Sequence, residues 1–343
     1  MVISRLFLSV ILSSVTAGTT AAMAATGEEI ASTSFNLVAA TGKQGNLAAF
    51  FGDETGPSQR FRLSHVSDWV DIVVLQPGER FPLQPATVGE SQAAITWRAR
   101  GGKLAYGDQI AVWTAPLEAG AYPLKGAGLI AGQRVERQLT MLVTVPASRV
   151  SGGKLNGYPI GTYPRGFASK TTLTASRGAR ADRYTVPSGF IELSAGTADV
   201  RVSQHYNLKD FQGKDNAVGG RKYLFLDSRL VEKLERLIVA LDAQPHRQKK
   251  IPLMSAYRSP YLNRAIGNTT SLSRHTYGDA ADMIVQDLNR DGRTDGKDAR
   301  LLFAAVAKLD HETDLIGGGA IYPPNGAHGY FVHTDTRGSI ARW

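Results

Sequence analysis

Apolar and polar positions change period along the chain. From about residue 28 to 150, short runs rich in β-branched and aromatic residues alternate with Gly- and Pro-bearing turns. Ser34–Val38, Asp71–Leu75, Ala94–Trp97, Gln109–Trp113 and Leu139–Val145 are such runs, separated by signals such as Gln76-Pro77-Gly78 and Arg100-Gly101-Gly102. Many short strands at this spacing predict an all-β sandwich over 28–150. The pattern then breaks at Ser151-Gly152-Gly153, and 151–182 reads as a linker whose Asn156–Pro164 part docks on the next domain. Beyond 183 the periods mix. Leu230, Val231, Leu234, Leu237, Ile238 and Leu241 recur at the helical period behind Asp227 or Ser228, which predicts a capped helix with one buried stripe. Ile251–Ser255 and Tyr330–Val332 are β-prone, and Ala299, Leu301, Leu302, Ala305 and Leu309 predict a second helix. The region 183–343 is therefore expected to be an α+β domain.

The first 24 residues form a separate segment. Arg5 precedes the apolar run Leu6–Leu12, and small residues lead to Ala22-Met23-Ala24. A basic start, a short apolar core and an A-x-A site read as a secretory signal peptide, too short to span a bilayer at about 20 residues. The expectation is an exported, periplasmic protein with no transmembrane segment once the leader is removed. The chain has no cysteine, which excludes disulfides and lipid attachment at a thiol. Its net charge of +9 favours polyanionic partners, and outside the cytoplasm these are wall polymers or lipid headgroups. No Lys/Arg run interleaved with aromatics points to nucleic acid.

The candidate chemistry lies in the last third. Ser273-Arg274-His275-Thr276-Tyr277-Gly278-Asp279-Ala280-Ala281-Asp282 is an S-x-H-x-x-G-x-A-x-D string, and His333 and Asp335 come near the end. A zinc ion accepts neutral imidazole nitrogen and carboxylate oxygen at about 2.0–2.2 Å, and a catalytic zinc takes three protein ligands. His275, Asp282 and His333 supply that set. Side chains two apart on a strand share a face, so Asp335 lies near a metal at His333. It can take a proton or orient the histidine. His328, on the Gly326–Gly329 loop, is the other candidate base. A second ion, calcium, is suggested by Asp287, Asn289, Asp291, Arg293, Asp295 and Asp298. These hold positions 1, 3, 5, 7, 9 and 12 of a loop with Gly292 at 6, although position 12 is Asp where the EF-hand has Glu.

The ten-residue string, the upstream Ser255-Ala256-Tyr257-Arg258-Ser259-Pro260 and the late His-x-Asp resemble the zinc D-Ala-D-Ala peptidase family, which shares a fold with the hedgehog signalling domain. The resemblance covers roughly the last 140 residues. It implies a zinc metallopeptidase that hydrolyses amide bonds in peptidoglycan stem peptides or crosslinks, as a carboxypeptidase or endopeptidase. It also implies that Arg258 faces the substrate and stabilises negative charge, with Tyr257 and Ser273 beside it. Well-known members carry a Glu three residues before the last ligand or a His two before it, where this chain has Tyr330 and Phe331. The alternative is a catalytically silent wall-binding protein on the same fold. Upstream, Trp113–Pro116 and Gly120-Ala121-Tyr122 resemble late strands of bacterial immunoglobulin-like modules, so the sandwich is expected to be immunoglobulin-like.

Overall fold

The computed structural model describes residues 59–61, 71–83, 86–88, 91–93, 95–107, 111–130, 133–164, 184–242, 250–268, 270 and 272–343. The expected leader, the Ser34–Val38 strand and the linker beyond Pro164 lie outside the described residues. The described residues fall within one compact unit, Ala39–Trp343. The protein is mixed α and β, with several sheets.

The β-rich part holds a five-stranded sheet in the order Gln59–Phe61, Asp71–Leu75, Gln133–Val143, Gly120–Ile130, Ile95–Ala99. Neighbours are antiparallel except Asp71–Leu75, which runs parallel to Gln133–Val143. A three-stranded sheet joins Arg80–Leu83, Ala111–Thr114 and Lys103–Tyr106. Alternation decides what is buried: Ile95 and Trp97 turn inward while Thr96 and Arg98 face solvent. Val73, Phe81, Trp97, Trp113 and Met141, drawn from both sheets, form one cluster. Trp113 is fully buried and its indole donates to the Gly101 carbonyl at 3.1 Å, so burial leaves no orphan N–H.

A second five-stranded sheet carries the chemistry, in the order Leu253–Ser255, Ala280–Ile284, Phe331–Asp335, Gly318–Tyr322, Ala341–Arg342. The first four are antiparallel to their neighbours and the last runs parallel to Gly318–Tyr322. Because side chains alternate, Met283 and Val332 point to one face and Asp282, His333 and Asp335 to the other. The apolar face is covered by the Ser228–Asp242 and Gly296–Glu312 helices, whose Leu234, Leu302 and Val306 join its core. The predicted stripe of the first helix is buried throughout, and Asp227 accepts the Arg229 N–H at its start.

Two polar devices tie this layer together. Lys233 is fully buried, donating to Asp310 at 2.6 Å and to the Asp335 carbonyl at 2.8 Å; Arg342 donates to the other Asp310 oxygen at 2.6 Å. Burial pushes the Lys233 ammonium down and the Asp310 charge opposes it. The segment from Tyr158 to Tyr163 acts as a strap. Pro159 and Ile160 carbonyls accept from Ser259 and Tyr261, and the Tyr163 hydroxyl donates to the Thr276 carbonyl at 2.9 Å. Gly161 has φ +82°, and a Cβ there would lie 2.6 Å from the Tyr261 nitrogen, so the close approach requires glycine.

Candidate metal centre

His275 sits in a short 3-10 turn, Arg274–Tyr277, that ends on Gly278 at φ +68°. A Cβ at 278 would come 2.4 Å from the Phe225 carbonyl oxygen, which explains the glycine of the string. The turn drops the chain directly into the Ala280–Ile284 strand. Antiparallel register sets Asp282 opposite His333. His333 Nδ1 is 2.9 Å and His275 Nε2 3.3 Å from Asp282 Oδ1, and all three donor atoms lie within 4.8 Å of one another. Each residue is buried.

The outer ring nitrogens are committed. His275 Nδ1 faces the Ala256 carbonyl at 2.6 Å, and a carbonyl only accepts, so that nitrogen carries the proton. His333 Nε2 faces Asp335 at 3.1 Å and donates likewise. In neutral rings the lone pairs on His275 Nε2 and His333 Nδ1 then converge on a carboxylate oxygen. Three acceptors at this separation repel unless a cation or a proton sits among them, and their chemistry is that of a zinc ligand set. Without a cation the proton solution dominates. Burial works against the Asp282 anion, yet the charges and hydrogen bonds of His275 and His333 outweigh it and hold the carboxyl well below its usual range. Burial disfavours a charged His333 as well, but hydrogen bonds to Asp282 and Asp335 push it up to about 9. His275 is lowered, chiefly by burial.

The other predicted residues take varied positions. Arg258 donates from Nη2 to Asp282 Oδ2 and from Nε to Ser255 Oγ at 2.8 Å, so it grips the carboxylate oxygen turned away from the histidines. Tyr257 does not line an open site as expected: its ring is 1% exposed and its hydroxyl meets that of Tyr163 at 3.1 Å. The backbone alternation that turns Arg258 toward Asp282 turns Tyr257 into the core. Ser273 is also buried, at the head of the His275 turn, where its carbonyl accepts from Thr276.

Asp335 is fully buried on the far side of His333. It accepts from His333 Nε2, from the backbone N–H groups of Gly318 (2.8 Å) and Arg337 (3.0 Å), and from the Arg337 guanidinium at 2.5–3.0 Å. His328 is exposed. Its Nε2 faces the Asn325 amide at 2.8 Å, its Nδ1 faces the Gly329 carbonyl, and its ring packs edge-on against Phe331.

The Asp287–Asp298 loop spends its carboxylates on backbone N–H groups. Asp287 accepts from Asp291 and Gly292, and Asp295 caps the Gly296–Glu312 helix by accepting from Lys297. Buried Asp298 accepts from Leu288, Asn289 and Asp295. Asn289 Oδ1 and Asp291 Oδ1 take the Asp291 and Arg293 N–H groups, and the Arg293 side chain supplies no oxygen. Among the described residues His275, Asp282 and His333 form the one acid and imidazole group compact enough to hold a metal, so calcium is not supported.

Sequence reasoning passed over the residues that brace the ligands. Arg274 and Asp279, both buried inside the string, form a bidentate pair beneath the His275 turn. Arg337 does the same for Asp335, and its only sequence signal is a charge two residues after a candidate site residue.

Residues 199–293 match the Peptidase M15 family model; this stretch contains Arg258, His275 and Asp282, and His333 lies beyond it. No curated protein matches the chain. Two solved structures are similar over short stretches. One is a 2,6-sialyltransferase of Vibrionaceae Photobacterium sp. JT-ISH-224, 18% identical, with 21% of this chain and 17% of that chain covered and a TM-score of 0.19. The other is a sialyltransferase from Photobacterium damsela, 18% identical, with 22% and 17% covered and a TM-score of 0.18. The chain spans about a sixth of either enzyme, and likeness at these scores carries no statement about fold or function. The family match and the donor triangle agree: residues 199–293 of this chain are similar to the Peptidase M15 family, zinc-dependent D-Ala-D-Ala peptidases, and His275, Asp282 and His333 form a group that could hold a metal ion.

Proposed function

We propose that the protein is an exported zinc peptidase that hydrolyses amide bonds in peptidoglycan stem peptides or their crosslinks. The observation that carries this reading is the convergence of His275, Asp282 and His333 with both outer ring nitrogens pinned, the first two inside the stretch similar to the peptidase family. His275, Asp282 and His333 would hold a zinc ion, which would supply a Lewis acid able to polarise a carbonyl oxygen and acidify water. The chain's own residues do the rest. Asp335 holds the Nε2–H of His333 and with it the ring's angle and tautomer. Its oxygens are occupied by donors, so the proton of the attacking water goes to another group. His328 is the remaining candidate: its Nδ1–H faces a carbonyl, and its Nε2 takes a proton once it releases the Asn325 amide. Arg258 braces Asp282 and presents a planar cation to the substrate carbonyl or a terminal carboxylate.

The β-rich part is assigned an immunoglobulin-like sandwich that acts as spacer or wall-binding module, with the basic balance of the chain favouring an anionic wall. A signal peptide over 1–24 delivers the protein to the periplasm. Among the described residues no helix is long and apolar enough to cross a membrane. The sequestration of Asp335 favours one alternative, a silent wall-binding protein that retains zinc without turnover.

Purified protein incubated with muropeptides is expected to give chelator-sensitive cleavage, read by product mass spectrometry. Absence of cleavage with zinc bound favours the silent alternative. His275→Ala and Asp282→Ala are expected to lose zinc, and full metal content in both variants refutes the ligand assignment.

A further inference from the structure

The sheet face that bears the ligands continues past them. Register places Ser255, Asp282, His333 and Ala320 in one row across four strands. Arg342 pairs with Gly319, so Trp343 comes next to Ala320 at the end of that row. Ala320 offers only a methyl group between its two neighbours, and the indole reaches across it to within 5.3 Å of the His333 ring, centroid to centroid. The adjoining row on the same face is Ile284, Phe331 and Tyr322. Tyr322 stacks on Phe331 at 4.4 Å, and the Trp343 indole donates to the Tyr322 hydroxyl at 2.7 Å. The Arg337 guanidinium lies 5.2 Å from the indole centroid.

This indole is held on several sides and still 56% exposed, and Ile284 is 39% exposed. The opposite face of the same sheet is closed by helices, so the exposed apolar strip lies on the metal face. An apolar strip continuous with a reactive centre suits a bound substrate, because burying it there gains free energy that solvent exposure forfeits. The strip offers flat apolar surface. Arg337, the cation over the indole, is spent on Asp335.

We propose that Trp343, with Ile284 and with Tyr322 backed by the buried Phe331, forms the platform that binds an uncharged peptide residue flanking the cleaved amide, with Trp343 as the specificity-determining residue. This rests on the peptidase reading above. The platform fixes the direction in which the substrate leaves the metal: from His333 over the indole, toward the Tyr322–Phe331 stack. Trp343 acts on binding and leaves the proton transfers to other groups.

The test compares wild type, Trp343→Ala and Trp343→Phe as zinc-loaded full chains on a purified disaccharide-pentapeptide muropeptide and on a crosslinked muropeptide dimer. Trp343→Ala is expected to raise KM roughly tenfold, in line with the loss of one aromatic contact. Its kcat, zinc content and melting temperature stay near wild type, and Trp343→Phe recovers most of the KM. A merely structural tryptophan lowers stability or zinc content and leaves KM unmoved, which overturns the proposal. A second readout needs no turnover: the Trp343 emission, taken as wild type minus Trp343→Phe, is monitored as each muropeptide is titrated. If no wall peptide is cleaved but this emission shifts saturably, the peptidase reading fails and the platform stands. If cleavage proceeds with unchanged KM and unchanged emission, the platform fails alone.

Discussion

Replacing Asp335 by Asn keeps the size of the side chain and removes one acceptor from a crowded site. The two carboxylate oxygens receive His333 Nε2, the Gly318 and Arg337 backbone N–H groups, and the Arg337 Nε and Nη2. An amide has one oxygen. With that oxygen left on the backbone donors, the amide NH2 meets His333 Nε2 and the guanidinium, donor against donor. The imidazole escapes by moving its proton to Nδ1, the atom that faces Asp282 2.9 Å away and belongs to the metal triangle. Zinc must then displace a proton, and loss of such an outer partner costs about 10–100-fold in metal affinity. That range corresponds to about 1.4–2.7 kcal/mol. Competition against a zinc-binding dye at neutral pH measures the affinity, circular dichroism checks the fold, and turnover at saturating zinc separates positioning from proton transfer. Affinity is expected to fall while zinc-saturated turnover on muropeptide stays within about tenfold of wild type, since losing a general base costs about 10²–10⁴. Unchanged zinc affinity with turnover reduced beyond about 100-fold makes Asp335 the base and refutes the reasoning.

Three further outcomes are expected from the packing. Lys233→Met leaves buried Asp310 with Arg342 and the Gly317 N–H as partners and is expected to cost about 3 kcal/mol, near the lower end for a broken buried pair; urea denaturation that finds under about 1 kcal/mol contradicts the paired assignment. Gly278→Ala forces a Cβ to 2.4 Å from the Phe225 carbonyl at φ +68°, so both melting temperature and zinc affinity are expected to fall, and a variant with wild-type values for both removes the steric argument. Burial works against the Asp298 anion, but backbone donors at Asp295, Asn289 and Leu288 hold its carboxyl below the usual value of 3.8. A carboxyl depressed on folding stabilises above the unfolded pKa and loses that contribution as pH falls through the folded one. Wild type is therefore expected to exceed Asp298→Asn by about 1–2 kcal/mol from neutral pH down to about pH 4. The gap narrows below that, and a gap independent of pH contradicts the linkage.

The parts of this protein legible in sequence are those where one local rule acts alone. The Ser228–Asp242 helix was readable because six apolar residues keep one period. Lys233 and Glu235 lie outside those six positions and are buried all the same, because Asp310 lies 77 positions away and His205 30 positions away, and no period reveals such partners. The residues of the metal triangle were legible because coordination dictates residue type and the Gly278 turn dictates spacing. The Asp287–Asp298 loop misled for an instructive reason. Oxygens that satisfy a cation and oxygens that satisfy the N–H groups of a tight turn and a helix start are the same residue types at similar spacings, and here the backbone takes them. Trp343 was illegible for the opposite reason. Nothing near it in sequence hints at a partner, and it meets His333 only because a two-residue strand, Ala341–Arg342, pairs in parallel with Gly318–Tyr322 and Ala320 is too small to keep the rings apart. A larger residue at 320, such as Leu, would come between indole and imidazole, since Ala320 is the cross-strand neighbour of His333. The surface beside the metal is therefore set by a residue that carries no chemistry, and substitution there is expected to alter which substrates bind while leaving zinc in place.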